Sequence, residues 1–155
     1  IFGDQNEWEV ASGVPHIPFE ALDENYEIDK EAYLEYFRKM HKLFPKCKKM
    51  VMAVRNQIAS SHHTLSGLLY DSQEGKLYTT RIYDIQPIID PMGVGDAFVA
   101  AYIHAHQKWG DENQYCLDFS LSASAIKNTI PGDQNLVSEE EIIHNMTSSG
   151  GRIQR

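Results

Sequence analysis

The chain has 155 residues, 42% hydrophobic and 10% aromatic, and 14 basic against 22 acidic residues give a formal net charge of −8. These values predict one soluble domain with a hydrophobic core, and no apolar run reaches the roughly 20 residues that a membrane span requires. The acidic balance argues against a nucleic-acid or anionic-membrane partner, because backbone phosphates are bound mainly by clustered Lys and Arg.

The first third of the chain predicts strands and helices in alternation. "IFG" reads as the end of a buried strand, and we expect the chain to be a piece of a longer protein, since a core strand rarely opens one. Asn6 to Ser12 predicts a short helix that Gly13 ends. From Asp29 to Leu43, apolar residues recur at spacings of three and four, which indicates an amphipathic helix. The apolar run "MVMAV" at 50–54 is typical of a strand buried on both faces.

The middle of the chain predicts a hairpin and then a long helix. "LSGLLYD" (65–71) and "KLYTTRIYDI" (76–85) read as two strands around the turn "SQEG". A helix is predicted from Asp96 to Trp109, and Gly110 ends it. This order of strands and helices indicates an α/β layer fold.

Two more helices are predicted near the C-terminus. The first covers "CLDFSLSASAIKN" (116–128), where Ala and Ser allow close approach of another helix or a ligand. The second follows a capping box of Ser138 and Glu141 and ends near Met146. We expect residues 148–155 to form a disordered tail.

The stretch "DPMGVGDAF" joins the hairpin to the long helix and carries the chemistry. Gly93 and Gly95 allow a tight turn and the close approach of a ligand. The N–H groups at the helix start lack intrahelical partners and the helix dipole adds positive charge, which predicts a phosphate site. Asp96 lies at its rim and can accept the proton of an attacking hydroxyl. An ordinary connection with an N-capping Asp also explains the turn, which is neither a Walker loop nor a dinucleotide fingerprint.

Two motifs together point to a family. Asp90-Pro-Met-Gly93-Val-Gly95-Asp96-Ala-Phe98 resembles the D-x-x-G-x-G-D-x-F signature of the ribokinase-like (PfkB) carbohydrate kinases. Asn6-Glu-Trp-Glu9 resembles the N-x-x-E element of the same family, which also follows a core strand. The resemblance covers essentially the whole chain but only the C-terminal half of such a kinase.

The resemblance implies an α/β fold, the ribokinase-like three-layer α/β/α sandwich. Residues 1–147 would form its C-terminal, nucleotide-binding and catalytic part. The sugar-binding N-terminal half, with its small β lid, would be absent. We expect that half, or a homo-oligomer partner, to cover the sheet edge that is left exposed.

The resemblance also implies the catalytic residues. Asp96 would be the base that takes the proton of the sugar hydroxyl. Gly93, Val94 and Gly95, with the Asp96 N–H, would form an anion hole for the charge that develops on the transferring phosphate. The cofactors would be ATP and Mg²⁺, and the acceptor a small sugar or sugar acid.

Metal-binding residues follow from the same resemblance. Asn6 and Glu9 would orient Mg²⁺, mostly through its water shell, since this ion dehydrates reluctantly. Asp90 and the carbonyl of Met92 would lie near the monovalent-cation (K⁺) site of some members. Pro91 and Met92 depart from the residues usual in the family, which leaves the cation site open.

The stretch "AVRNQIASSHHTLSGLLYD" is similar to that of bacterial 2-keto-3-deoxygluconate kinases, with Arg55 where most members have a glycine. Arg55 would then lie against the nucleotide phosphates, or else form a surface ion pair at a strand end. Asn128 and Gly132 are candidates for the adenine pocket. Small residues at helical spacing are also explained by close packing.

Three hypotheses about function result. The first is an ATP-dependent kinase of 2-keto-3-deoxygluconate, of which this chain alone would show little or no turnover. The second is a non-catalytic nucleotide-binding or interaction module of the same fold. The third is a PfkB kinase for fructose, ribose or a nucleoside, which only the absent acceptor half would distinguish.

Other candidate sites give weaker patterns. His104 and His106 are two apart on a helix, and His62 and His63 are adjacent in a predicted loop, so neither pair suits zinc. The acidic run at 139–141 is explained by the helix dipole. Two distant cysteines, at 47 and 116, predict free thiols in a reduced, cytoplasmic protein.

Overall fold

The computed structural model describes residues 1–17 and 27–148, and within these ranges a sheet lies between two layers of helices. This three-layer α/β/α arrangement is the predicted one. The strands are β1 (Phe2–Gly3), β2 (Lys49–Ala59), β3 (His62–Asp71), β4 (Lys76–Thr79) and β5 (Tyr83–Ile85). The helices are α1 (Gln5–Ser12), α2 (Lys30–Leu43), α3 (Val94–Trp109), α4 (Asn113–Lys127) and α5 (Glu139–Thr147).

The sheet has the order β1-β2-β3-β4, and β5 also pairs with β3. β1 and β2 are parallel, whereas the other pairs are antiparallel. The predicted strand at 76–85 is two strands. The Thr80 N–H still donates to the Gly67 carbonyl at 3.0 Å, but the Gly67 N–H donates to the side-chain oxygen of Thr80 at 2.8 Å, so the regular ladder ends there. β4 and β5 thus pair with opposite ends of β3.

β2 and β3 form a long hairpin that the sequence did not predict. The segment 55–64 was interpreted as a loop, and His62 and His63 were placed in it, but β2 continues to Ala59 and β3 begins at His62. The apolar run that identifies a buried strand stops at Val54, whereas the backbone ladder continues through polar residues. Apolar periodicity does not detect such an extension.

The two faces of the sheet bury separate cores. Met50, Met52 and Val54 of β2 pack with α1 and α2, around Trp8 and Phe37. Val51 on the opposite face joins the core formed with α3, α4 and α5. The alternation follows from the two-residue period of a strand.

α4 lies at the centre of the second core, and from Phe119 to Lys127 every residue is buried. Its serine hydroxyls donate to backbone carbonyls of the neighbouring helices: Ser120 to Phe98, Ser122 to Ile142 and Ser124 to Val94. The run of Ala and Ser in this helix therefore provides close packing between α3 and α5.

Local signals set most helix ends. Asp29 caps α2, Gly13 ends α1 in the left-handed conformation, and Ser138 with Glu141 forms the predicted capping box of α5. Of the predicted tail, only Ser148 is described. The two cysteines are free thiols, as expected. No helix in the described ranges is both long and apolar enough to span a membrane.

Candidate functional site

A cavity of about 420 Å³ lies where the carboxyl ends of β1 and β2 meet the start of α3. Ligands in α/β proteins commonly bind outside the carboxyl ends of parallel strands. Its wall combines apolar and polar groups and consists of Phe2, Gly3, Asp4, Glu7, Ala53, Pro91, Met92, Gly93, Val94, Gly95, Asp96, Phe98 and Val99. All four predicted catalytic positions, 93 to 96, therefore lie on one cavity.

The glycine turn is the N-terminus of α3. Gly93 is the N-cap, with φ 73° in the left-handed region, so the helix starts at Val94, two residues before the predicted start at Asp96. The first intrahelical bond runs from the Ala97 N–H to the Gly93 carbonyl at 2.9 Å. The N–H groups of residues 94–96 have no backbone acceptor in the helix, and the helix dipole places partial positive charge there. This end of the cavity, the N–H end, therefore has features that favour an anion.

Asp96 lies in the first turn of α3 with an exposed side chain. Its carboxylate forms no hydrogen bond or ion pair with the residues that the structure describes. Gly95 beside it is open, since a Cβ added there would meet no atom within 4 Å. A free carboxylate and open space thus lie next to the N–H end of the cavity.

Asp90 holds the turn rather than lining the cavity. Its Oδ1 accepts the Met92 N–H at 2.9 Å, and its Oδ2 accepts the Gly132 N–H at 2.8 Å. These two hydrogen bonds hold the pKa of Asp90 below its usual range. The Asn128 carbonyl accepts the N–H groups of Ile89 and Asp90 at 2.8 and 3.2 Å. Asp90, Asn128 and Gly132, predicted in separate metal and adenine sites, lie together behind the glycine turn.

The predicted magnesium residues of α1 lie outside the cavity wall. Asn6 is exposed, and the Glu9 carboxylate accepts hydrogen bonds from the ring and the backbone N–H of His16, which lower its pKa. The wall instead contains Asp4 and Glu7, which cap the start of the same helix. The pattern D-x-x-E in "DQNE" would have identified them as a capping box.

Carboxylate oxygens are nevertheless the donors that Mg²⁺ prefers, and this ion usually keeps several waters when one or two carboxylates and substrate phosphates bind it. Asp4, Glu7 and Asp96 line the same cavity and fit that requirement. Among the described residues, no group of three or more His, Cys, Asp or Glu side chains is close enough to enclose a metal ion. These carboxylates therefore suit a hydrated Mg²⁺ ion better than an ion enclosed by protein ligands alone.

Arg55 lies on β2, on the face that carries Val51 and Ala53. Ala53 is in the cavity wall, and the exposed Arg55 lies roughly 7 Å further along the strand, outside that wall. His63 of β3 faces the same side and is 5% exposed, and its Nε2 has no partner in the described ranges. Burial and the nearby charge of Arg55 lower the pKa of His63. The sequence did not single out His63, because it was placed in a loop.

Comparison with known proteins identifies structural neighbours. No protein-family model and no curated protein matches the chain. Solved structures do match, and they include PfkB family carbohydrate kinases. A 2-dehydro-3-deoxygluconokinase from Thermotoga maritima has 24% identity and a TM-score of 0.79 over 95% of this chain and 40% of its own.

Two further neighbours agree with the first. A PfkB family carbohydrate kinase from Listeria grayi has 24% identity and a TM-score of 0.72, over 95% of this chain and 41% of its own. A candidate 2-keto-3-deoxygluconate kinase from Enterococcus faecalis has 19% identity and a TM-score of 0.70, over 92% and 38%. The chain thus spans about two fifths of each neighbour, and at these identities the likeness establishes a shared ribokinase-like fold.

Proposed function

We propose that the chain is the nucleotide-binding and catalytic part of an ATP-dependent sugar kinase of the PfkB family. The observation that carries the proposal is the cavity on which the free Asp96 carboxylate and the unpaired N–H groups of residues 94–96 converge. Phosphoryl transfer requires mainly positioning and the stabilisation of charge, together with a group that accepts the proton of the nucleophile. The fold shared with carbohydrate kinases and the two sequence motifs support the same conclusion.

Three wall residues have a task in this mechanism. The N–H groups of Val94, Gly95 and Asp96 bind the oxygens of the transferring phosphate, where negative charge is stabilised by the helix dipole. The Asp96 carboxylate accepts the proton of the attacking sugar hydroxyl. Both groups belong to one helical turn, so a rigid element fixes their spacing.

Magnesium, when bound with ATP, would neutralise charge on the phosphates. Asp4, Glu7 and Asp96 supply oxygen donors on the cavity wall, and Asn6 and Glu9 lie on the same helix as Glu7. We propose that these groups hold the ion through its water shell. Arg55 would add a permanent positive charge beside the nucleotide phosphates.

The proposed acceptor is 2-keto-3-deoxygluconate, phosphorylated at its terminal hydroxyl. Two of the structural neighbours carry this activity in their names, and the segment 53–71 is similar to that subgroup of kinases. Fructose, ribose and nucleosides remain alternatives, because acceptor specificity depends on parts of a PfkB kinase outside this chain.

The test is a coupled ADP-release assay on the natural full-length protein, with ATP, Mg²⁺ and a panel of sugars that includes 2-keto-3-deoxygluconate, ribose and fructose. Asp96→Asn keeps the shape of the side chain but removes the base, and we expect kcat to fall by about 10³-fold with little change in ATP affinity. Glu31→Gln is the matched control, since Glu31 is an exposed acid in the first turn of α2, away from the cavity.

Each outcome of this assay is informative. Turnover on the keto-deoxy acid that Asp96→Asn abolishes would support both the reaction and the base. Turnover on another sugar would keep the mechanism and reject the acceptor. ATP binding without turnover on any sugar would favour a non-catalytic module, and an unchanged kcat in Asp96→Asn would reject Asp96 as the base.

A further inference from the structure

Lys127 is a charged residue that the proposed chemistry does not use, although it is completely buried. It is the last residue of α4, and its Nζ donates to the Ile130 carbonyl at 2.9 Å. A lysine ammonium has three donors, and a charge removed from water is costly unless other groups compensate for it. The position of Lys127 therefore calls for a specific role.

The segment that Lys127 supports is the turn 128–133, which packs behind the glycine turn. Lys127 bonds to this turn at Ile130. From the turn, the Gly132 N–H reaches Asp90, and the Asp133 carbonyl lies so close to Gly93 that an added Cβ would be 2.0 Å from its oxygen. A shift of the turn would thus be transmitted directly to the N-cap of α3.

Charge adds a second link between Lys127 and the glycine turn. The pKa of Asp90 is lowered by its hydrogen bonds from Met92 and Gly132 and also by the positive charge of Lys127. The ammonium also lies at the C-terminal end of α4, where the helix dipole favours a cation. Lys127 therefore bonds to a carbonyl just after α4, and its charge makes a smaller contribution at the Asp90 carboxylate.

We propose that Lys127 is a positioning residue: its buried ammonium fixes the turn 128–133 against Asp90 and Gly93, and so holds the N–H groups of residues 94–96 in the geometry that binds phosphate. The expected effect of Lys127 on catalysis rests on the proposed function. The arrangement of the turn itself does not depend on what the cavity binds.

The test compares Lys127→Met, which keeps the length of the side chain but removes its charge, with Ser122→Ala. Ser122 is buried in the same helix, donates to the Ile142 carbonyl and accepts from Asn145, so its loss weakens the same core away from the turn. Hydrogen exchange of the backbone amides is measured in the natural full-length protein, without ligand.

We expect Lys127→Met to speed exchange of the hydrogen-bonded amides of Asp90, Met92, Ile130 and Gly132 by about tenfold relative to β2 and β3, as loss of a hydrogen bond to a charged group suggests. Ser122→Ala should leave that ratio unchanged. In the ADP-release assay, Lys127→Met should lower kcat by about tenfold with a smaller change in KM for ATP, since the displaced N–H groups stabilise the charge that develops on the transferring phosphate.

A double variant shows whether Lys127 acts through Asp90. Asp90→Asn neutralises the carboxylate whose pKa the charge of Lys127 lowers. If Lys127 acts through Asp90, the double variant should speed exchange in the turn severalfold less than the product of the two single effects. If Lys127→Met alone does not fold, the double variant, without either charge, should fold.

Three results would overturn the inference. The first is equal exchange in Lys127→Met and the parent protein, and the second is single effects that multiply in the double variant. The third is loss of folding in both Lys127→Met and the double variant, because Lys127 would then support the whole core. Faster exchange in the turn, combined with no ATP binding by the parent protein, would instead support the positioning role and reject the proposed kinase.

Discussion

Gly93→Ala tests the contact on which the glycine turn depends. The substitution places a Cβ on a residue with φ 73°, and that atom would lie 2.0 Å from the Asp133 carbonyl oxygen and 2.9 Å from its carbon. Left-handed backbone costs a residue other than glycine roughly 1–2 kcal/mol. Overpacking against a neighbour that cannot move freely costs roughly another 1–3 kcal/mol, and the atoms here belong to the backbone. We therefore expect a loss of about 2–5 kcal/mol in the free energy of unfolding.

Gly13→Ala separates these two contributions. Gly13 has φ 71° and ψ 5°, against φ 73° and ψ 6° at Gly93, but a Cβ added at Gly13 would meet no atom within 4 Å. It should thus cost only the roughly 1–2 kcal/mol of left-handed strain. The difference between the two variants isolates the contact with Asp133.

The assay is urea unfolding followed by circular dichroism, with both variants measured under the same conditions. With a slope of about 1–3 kcal/mol per molar urea, Gly93→Ala should lower the midpoint by about 1 M or more, and clearly further than Gly13→Ala. Equal midpoints in the two variants would refute the reasoning, because the turn 128–133 would then yield to the added methyl group without cost.

Two further predictions concern the start of α3 and the start of α5. Gly95→Ala should leave the free energy of unfolding unchanged or raise it by up to about 1 kcal/mol, since Ala favours a helix. It should nevertheless weaken ATP binding in calorimetry, because the methyl group enters the open space of the cavity. Unchanged ATP affinity would contradict the assigned site. Hydrogen bonds from Lys108 and His104 lower the pKa of Glu139 below its ordinary value of 4.5. Glu139 therefore stabilises the fold at pH values above 4.5, and this contribution is lost as the pH falls through the lowered pKa of the folded state. Glu139→Gln should thus reduce the acid dependence of the melting temperature at low salt, and an identical pH profile would exclude this contribution.

The sequence predicted those parts of the site that depend on neighbouring residues. Gly93, Gly95 and Asp96 lie within four positions, and a helix that begins after a glycine turn has unpaired N–H groups whatever surrounds it. All three residues lie on the wall of one cavity. The predicted roles of these residues in catalysis stay predictions until activity is measured.

Parts that depend on distant residues could not be predicted in the same way. Asp4 and Glu7 enter the cavity wall because β1 pairs in parallel with β2, and Asp90 meets Gly132 across 42 positions of sequence. The β2–β3 hairpin extends through polar residues because it is held by backbone hydrogen bonds, which have no apolar pattern. In each case the decisive interaction joins segments that are remote in the sequence.

The surroundings of Asp90 show why its position in a motif does not by itself fix its role. Each of its carboxylate oxygens accepts a backbone N–H, one from its own loop and one from the turn after α4. These two hydrogen bonds, with a smaller contribution from the positive charge of Lys127, lower the pKa of Asp90. The protein itself therefore satisfies Asp90, and any cation bound nearby would have to compete with these hydrogen bonds for its oxygens. In this chain the carboxylate gives the glycine turn one acceptor for two N–H groups at once.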